Sequence, residues 1–300
     1  MRKGESWIGV LCIVAASVIW GATGLVVRKL NEAGFSNLDV LETRALLGAV
    51  FTGIYLWLKS PKDFRFRLRD VWCFVGTGIL NLMLCGVCNF YCIQNTSLAI
   101  ADAMIQTGPM FALIFGCVLF KEKFTLQKAA AMALTFSGCV LASGLSGSER
   151  LTAVGFLLGI GAGVGYSMYS VFGRFAMNRG YNPIAITFYS FVFCAIGCSF
   201  FADWGGMARA VTAVPSTWLW IVAVGLVNGF GAYVLYTNGL LRLETGKASI
   251  LCSLELVTSV VIGLLVYHEK LSLPVGVGLA MIILGIAVLS LKKKDELPQN

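Results

Sequence analysis

Apolar runs of about 20 residues recur along almost the whole chain, separated by short segments that hold most of its charge. A hydrocarbon core takes about 20 consecutive apolar residues per helical pass, and in lipid only helices and closed barrels satisfy every backbone polar group. Runs bounded by charge, glycine or proline give expected spans near 8–27, 38–58, 71–92, 100–120, 128–146, 152–172, 183–202, 216–238, 248–267 and 273–291. Ten such passes consume most of the 300 residues, so no soluble domain fits beside them. Composition agrees: 13% of the residues are charged and 58% hydrophobic, whereas soluble domains carry about 25% charged. The expected fold class is all-α and integral to a membrane. The run from Trp7 follows Met1-Arg2-Lys3 as in a signal peptide, but it extends past Trp20 without a small-residue cleavage site and reads as a retained first span.

The basic residues orient these spans. With ten passes, one side collects residues such as Arg2, Lys3, Lys59, Lys62, Arg65, Arg67, Arg69, Lys121, Lys123, Lys128, Arg174, Arg179, Arg242, Lys247 and Lys292 to Lys294. The other holds Arg28, Lys29, Arg150, Arg209 and Lys270, a division of roughly 17 to 5. The positive-inside bias then puts both termini in the cytoplasm of a multi-pass plasma-membrane protein. The net charge of +8 is read as topology, not as a nucleic-acid footprint, and the Lys59 to Arg69 cluster as a solvated loop.

The chain also resembles itself. A shift of 147 positions, without a gap, pairs 72–143 with 219–290 and gives about twelve identities, including Gly78 with Gly225, Asn81 with Asn228, Glu122 with Glu269, and Lys123 with Lys270. Composition alone supplies roughly half that number, so the weight rests on the gapless alignment of Gly, Asn and Glu-Lys positions. A shift of 146 pairs Trp20 with Tyr166 and Arg28 with Arg174. Two units follow, 1–147 and 148–300, each with five expected helices. Because five is odd, the second unit enters the membrane inverted, the arrangement of secondary transporters that bind substrate at the midplane between repeats.

Several local signatures fall in a set order: Trp20-Gly21 followed by Arg28, an Ala/Ser-rich entry to the fourth span with Pro109, Glu122-Lys123, then Ala248-Ser249-Ile250-Leu251, Leu254-Glu255 and Glu269-Lys270-Leu271. In these the chain resembles the ten-helix EamA branch of the drug/metabolite transporter superfamily. One departure is Leu254-Glu255-Leu256, where the family reads Leu-Glu-Pro, so the proline for a kink is missing. The resemblance implies ten helices around a central cavity lined by the first, third and fourth helices of each half. It also implies transport of small metabolites, often export of amino acids or related compounds.

Polar groups at membrane depth mark a candidate site, because an unpaired charge there costs at least a few kcal/mol. Glu255 sits near the middle of the ninth span with Leu251, Cys252, Thr258 and Ser259 at i±3 and i±4, and is expected to carry a proton or face a substrate ammonium. Arg44 is a candidate partner for a substrate carboxylate, unless it snorkels or meets Glu42 or Asp39. Asp102 is placed at an interface and left outside the site. Asn81 and Asn228, equivalent across the repeat, face either substrate or a neighbouring helix. Trp20, Tyr166, Tyr169 and Tyr236 complete the candidate substrate-binding set, since an aromatic box attracts organic ammonium groups. Tyr233 belongs to the same aromatic group, and Gly108-Pro109 is expected to bend the fourth helix.

Other chemistries lack residues. The single histidine, His268, excludes histidine clusters and relays. The ten cysteines, all in apolar runs, read as small hydrophobes, Cys85, Cys88 and Cys92 included. Gly76-x-Gly78 has no preceding strand and is no nucleotide fingerprint. Gly155-x-x-x-Gly159, Gly161-x-x-x-Gly165 and Gly225-x-x-x-Gly229 read as close helix packing. No cofactor, metal or nucleic acid is expected, and an enzyme or a purely structural membrane protein fits less well. The expected function is secondary active transport of a small metabolite, an amino acid or related amine, by alternating access and in the export direction. A proton-coupled exporter of cationic lipophilic drugs is the alternative. Expected partners are the small-molecule substrate and membrane lipid, with protons as coupling ion and a homodimer left open.

Overall fold

The computed structural model describes residues 3–64, 67–96, 98–143, 152–268 and 271–290. Arg2, Arg65, Arg150, Glu269, Lys270 and Lys292 to Lys294, which carry parts of the charge and repeat patterns, lie outside the described residues. Among the described residues every regular element is helical. The apolar helices, in chain order, are α1 (Trp7–Glu32), α2 (Asn37–Lys59), α3 (Leu68–Asn95), α4 (Ile100–Phe120), α5 (Leu126–Ala142), α6 (Ala153–Asn178), α7 (Pro183–Cys198), α8 (Thr217–Leu240), α9 (Thr245–Val266) and α10 (Leu273–Leu289). Seven are long and apolar enough to cross a membrane; α5, α7 and α10 are shorter. The 17 residues of α5 rise about 25 Å against a hydrocarbon thickness of about 30 Å. Length and hydropathy therefore carry seven of the ten expected spans. A short helix, Trp204–Ala213, links α7 to α8.

The helix starts follow from local chemistry. Ser36 and Asp39 form a capping box at α2, Thr125 and Thr152 cap α5 and α6, and Asn182 caps α7 just ahead of Pro183. Among the described residues four have positive φ: Lys121 (54°) and His268 (53°), which are 147 positions apart, and Gly34 (101°) and Gly180 (88°), which are 146 apart.

Several long helices are interrupted near their middles. α1 turns at Ala22, α4 at Gln106 and Thr107, and α9 at Ser253, while α3 and α8 pass through π-helical stretches at Gly76–Met83 and Val224–Gly231. Pro109 falls in the first turn after the α4 break, where proline is tolerated. The break in α9 forms although Leu256 stands where a proline would have supplied the kink.

Packing interleaves the two ends of the chain: α1 lies against α8 and α9, α6 against α3 and α4, α2 against α7 and α8, and α5 against α10. The glycine-spaced faces sit at these crossings. A Cβ at Gly159 would meet Met104, one at Gly165 would meet Cys85, and one at Gly225 would meet Leu47. The largest buried cluster centres on Ile13, Leu113, Tyr169, Tyr236, Leu240 and Leu251, joining α1, α4, α6, α8 and α9. Apolar side chains such as Leu157, Leu219, Leu265 and Ile283 remain exposed on the outer surface, as a lipid-facing surface requires.

Candidate functional site

The helix interruptions surround a cavity of about 450 Å³, within the usual size of small-molecule sites. Its walls come from α1, α3, α4, α6, α8 and α9, the helices named by the family resemblance, with Arg44 of α2 added. Seven of the eight sequence candidates line it: Glu255, Trp20, Asn81, Tyr166, Tyr169, Tyr236 and Arg44. Asn228 does not. It is 2% exposed, and its amide donates to the Ile19 carbonyl (3.1 Å) and to Thr23 Oγ1 (2.7 Å). Of the two readings the sequence left open for it, Asn228 takes the contact to a neighbouring helix; it lies in the π-helical stretch of α8, whose wider turn changes the register relative to Tyr236. Asn81 makes the matching contact, its amide donating to the carbonyls of Gly165 (2.8 Å) and Tyr166 (3.0 Å), but it also borders the cavity. Each asparagine thus ties a π-helical stretch to a helix from the other part of the chain.

Five aromatic side chains line the cavity, Trp20, Tyr166, Tyr169, Tyr233 and Tyr236. The Trp20 ring lies 4.9 Å from that of Tyr233 and 5.3 Å from that of Tyr236, and Tyr169 lies 5.3 Å from Tyr233. The tyrosines are held from behind by hydroxyl contacts, Tyr169 Oη with Thr237 Oγ1 (2.8 Å) and Tyr236 Oη with Ser170 Oγ (2.6 Å). Tyr233, which the sequence reading left outside the candidates, is the shared neighbour of Trp20, Tyr169, Phe191 and Arg44. Its spacing of three from Tyr236 on one helical face was the available signal.

Two carboxyl groups, Glu255 and Asp102, and one guanidinium, Arg44, border the same space, and none of them takes part in an ion pair among the described residues. Arg44 does not pair with Asp39, whose oxygens accept from Ser36 and from the Asp203 backbone, nor with Glu42, which is fully buried with both oxygens unpartnered. Asp102, set aside from sequence as an interfacial residue, faces the cavity because the break in α4 comes only four residues after it. Asn89 and Gln106 also line the cavity and were missed. Glu255 stands in the first turn after the α9 break. Gly21 is required directly opposite, since a Cβ there would collide with the Glu255 carbonyl oxygen and with Thr258.

Polar contacts tie the helix ends together on one side of the molecule. Glu122 accepts the backbone N–H groups of Thr245 (2.7 Å) and Gly246 (3.3 Å) at the start of α9. Lys128, 3% exposed, stands 2.7 Å from Glu244, and Arg174 donates to the Leu243 carbonyl. Toward the other end the lining continues along α1 from Trp20 to Val27, along α3 from Asn81 to Asn89 and along α9 from Glu255 to Ser259. The cavity therefore runs away from the end that carries Lys121, Lys123, Lys128 and Arg174.

Known proteins share this chain's sequence and fold over nearly its full length. It is 24% identical to YxxF, named as an uncharacterized transporter of Bacillus subtilis (strain 168), over 292 residues, covering 96% of this chain and 91% of that protein. It is 26% identical over 295 residues to a protein of Archaeoglobus fulgidus, also named as an uncharacterized transporter, with 96% of each chain covered. A solved structure described as the crystal structure of a protein superposes with a TM-score of 0.76 over 97% of both chains at 19% identity, a likeness of fold. The profile of the EamA-like transporter family matches residues 7–144 and again 153–291. The chain therefore belongs to the EamA-like transporter family.

Proposed function

We propose that the chain is a secondary active transporter that moves a small amine-bearing metabolite across the plasma membrane by alternating access, with Glu255 as the ammonium or proton site. The observation that carries this reading is the placing of Glu255 after the break in α9, in an aromatic-walled cavity and without a cationic partner. A carboxylate so placed gains most from a cation brought by the substrate or from a proton, and the surrounding rings favour an ammonium.

The architecture we propose is ten transmembrane helices in two inverted units, 1–147 and 148–300, with both termini in the cytoplasm. It is supported by the positive-φ pairs at spacings of 146 and 147, by π-helical stretches in α3 and α8, by the reciprocal asparagine contacts, and by the double match of the family profile. In that orientation the end that carries Glu122 and Lys128 is cytoplasmic and the cavity lies toward the outer side. Export then requires the Glu122 and Lys128 contacts to open, so that the cavity loads from the cytoplasm.

The test is flux in proteoliposomes. Glu255→Gln is expected to insert and elute like the wild type while substrate-driven amine flux falls at least about tenfold. Undiminished flux removes Glu255 from the mechanism. A carrier of cationic lipophilic drugs instead predicts that hydrophobic quaternary amines outcompete small polar amines.

A further inference from the structure

The stretch from Lys59 to Asp70, which joins α2 to α3, carries five basic and two acidic residues. Both acids are spent on the protein itself. Asp70 is buried, pairs with the Arg179 guanidinium and accepts from Tyr181 Oη (2.9 Å), while Asp63 accepts from the Asn182 amide (2.5 Å). Tyr181 Oη in turn accepts the backbone N–H of Arg67 (2.9 Å), and the Tyr189 hydroxyl of α7 donates to the Phe64 carbonyl. The stretch is thereby fastened to α7 and to the turn before it through its acids and its backbone. What it leaves outside is cationic: Lys59, Lys62, Arg67 and Arg69 are exposed, and none of them has an ion pair among the described residues.

The same surface carries apolar groups that suit a membrane boundary. Leu68, between the two arginines, is 83% exposed, and such a side chain is favoured among acyl chains over water. Trp57 and Trp72 are also exposed, and tryptophan concentrates at headgroup level. Arg179 Cζ stands 5.3 Å from the Trp72 ring, so the guanidinium that binds Asp70 also lies beside this indole. A polybasic segment next to a membrane helix attracts anionic lipid, and a guanidinium fork matches phosphate oxygens in two-point geometry. A stretch already held in place loses little freedom on binding.

We propose that Lys62, Arg67 and Arg69, beside Trp72 and Arg179, form a docking surface for the phosphate headgroup of an anionic phospholipid, with Leu68 and Trp72 set against its glycerol and acyl region. None of these residues lines the cavity, so the surface stands apart from whatever the cavity carries.

The test is native mass spectrometry of the purified full chain exposed to equimolar dioleoylphosphatidylglycerol and dioleoylphosphatidylcholine. The first bound lipid is expected to be enriched at least about threefold in phosphatidylglycerol. Arg67→Gln/Arg69→Gln is expected to bring the ratio close to parity, and Arg67→Lys/Arg69→Lys, which keeps the charges, to retain at least about half of the enrichment. Lys121→Gln/Lys123→Gln removes the same charge at the same end of the molecule, where Phe175 touches both Trp72 and Phe120, and is expected to leave the ratio unchanged. Lys62→Gln alters a side chain that makes no hydrogen bond among the described residues, and so tests the surface without risk to the fold; it is expected to lower the enrichment at least about 1.5-fold. Millimolar inorganic phosphate is expected to change nothing. A wild type without preference, an unchanged ratio in Lys62→Gln, or equal loss in the two double glutamine variants overturns the surface, the last by reducing it to net charge. Loss of the enrichment in inorganic phosphate overturns it too, by assigning the face to the free anion.

Discussion

Glu122, just past the end of α4, accepts the backbone N–H of Thr245 at 2.7 Å and so ties the close of one helix to the opening of α9, 123 positions away in sequence. The contact works as a helix cap supplied from a distant part of the chain. Lys121, left-handed at φ 54°, turns the backbone so that the carboxylate reaches across.

Replacing Glu122 by Ala removes that cap, a loss of about 1 kcal/mol. At this chain length such a loss lowers the apparent melting temperature by roughly 2–4 °C. Glu122→Asp, shorter by one methylene, is expected to fall between. Differential scanning fluorimetry in detergent reads the order wild type, Asp, Ala; an Ala variant as stable as the wild type denies the contact any structural weight.

Gly21 and Gly24 make an internal control. A Cβ at Gly21 would strike the Glu255 backbone, whereas one at Gly24 meets nothing within 4 Å. Gly21→Ala is expected to cost about 1–3 kcal/mol through overpacking, and to weaken amine binding because α9 must shift at Glu255. Gly24→Ala should be close to neutral in stability, and equal melting temperatures of the two variants contradict the α1–α9 crossing.

Lys128 is nearly buried and depends on Glu244, which is 40% exposed in its side chain. Glu244→Gln leaves the ammonium with the Lys123 carbonyl as its remaining hydrogen-bond acceptor (2.9 Å). The expected ranking in thermal unfolding puts Glu244→Gln below the double variant Lys128→Met/Glu244→Gln, because an unpaired buried charge costs more than an apolar replacement of the pair. The exposure of Glu244 limits the difference to about 1 kcal/mol.

The two asparagines should separate stability from binding. Asn228→Ala is expected to lower the melting temperature by a few degrees, in line with about 1 kcal/mol for an interhelical hydrogen bond in a membrane, with amine affinity unchanged since Asn228 lies behind the wall. Asn81→Ala is expected to lower both stability and affinity, because Asn81 borders the cavity. Paired thermal and titration measurements on the two variants decide the point.

Much of the candidate site was legible because polar side chains are scarce in these spans. Glu255, Arg44 and Asn81 stand out against an apolar background, and the cost of burying them makes a polar or aqueous environment almost obligatory. What was not legible depends on helical phase. Asn228 and Asn81 make equivalent contacts from equivalent π-helical stretches, yet only Asn81 also borders the cavity. Asp102 looked interfacial until the α4 break brought it to the cavity, and Tyr233 is central only because Trp20, Tyr169 and Arg44 converge on it from three helices.

Hydropathy is summed locally along the chain, so the sequence by itself determined that the molecule belongs in lipid, where its helices run, and at what spacing it repeats. The tertiary structure alone decided which polar groups share one cavity, that Arg44 and Glu255 border it without pairing, and that Glu122 caps the start of α9 at Thr245. Those relations are set by where helices cross and by how a break or a π turn rotates each face, quantities that involve residues more than a hundred positions apart and leave no mark in a local pattern.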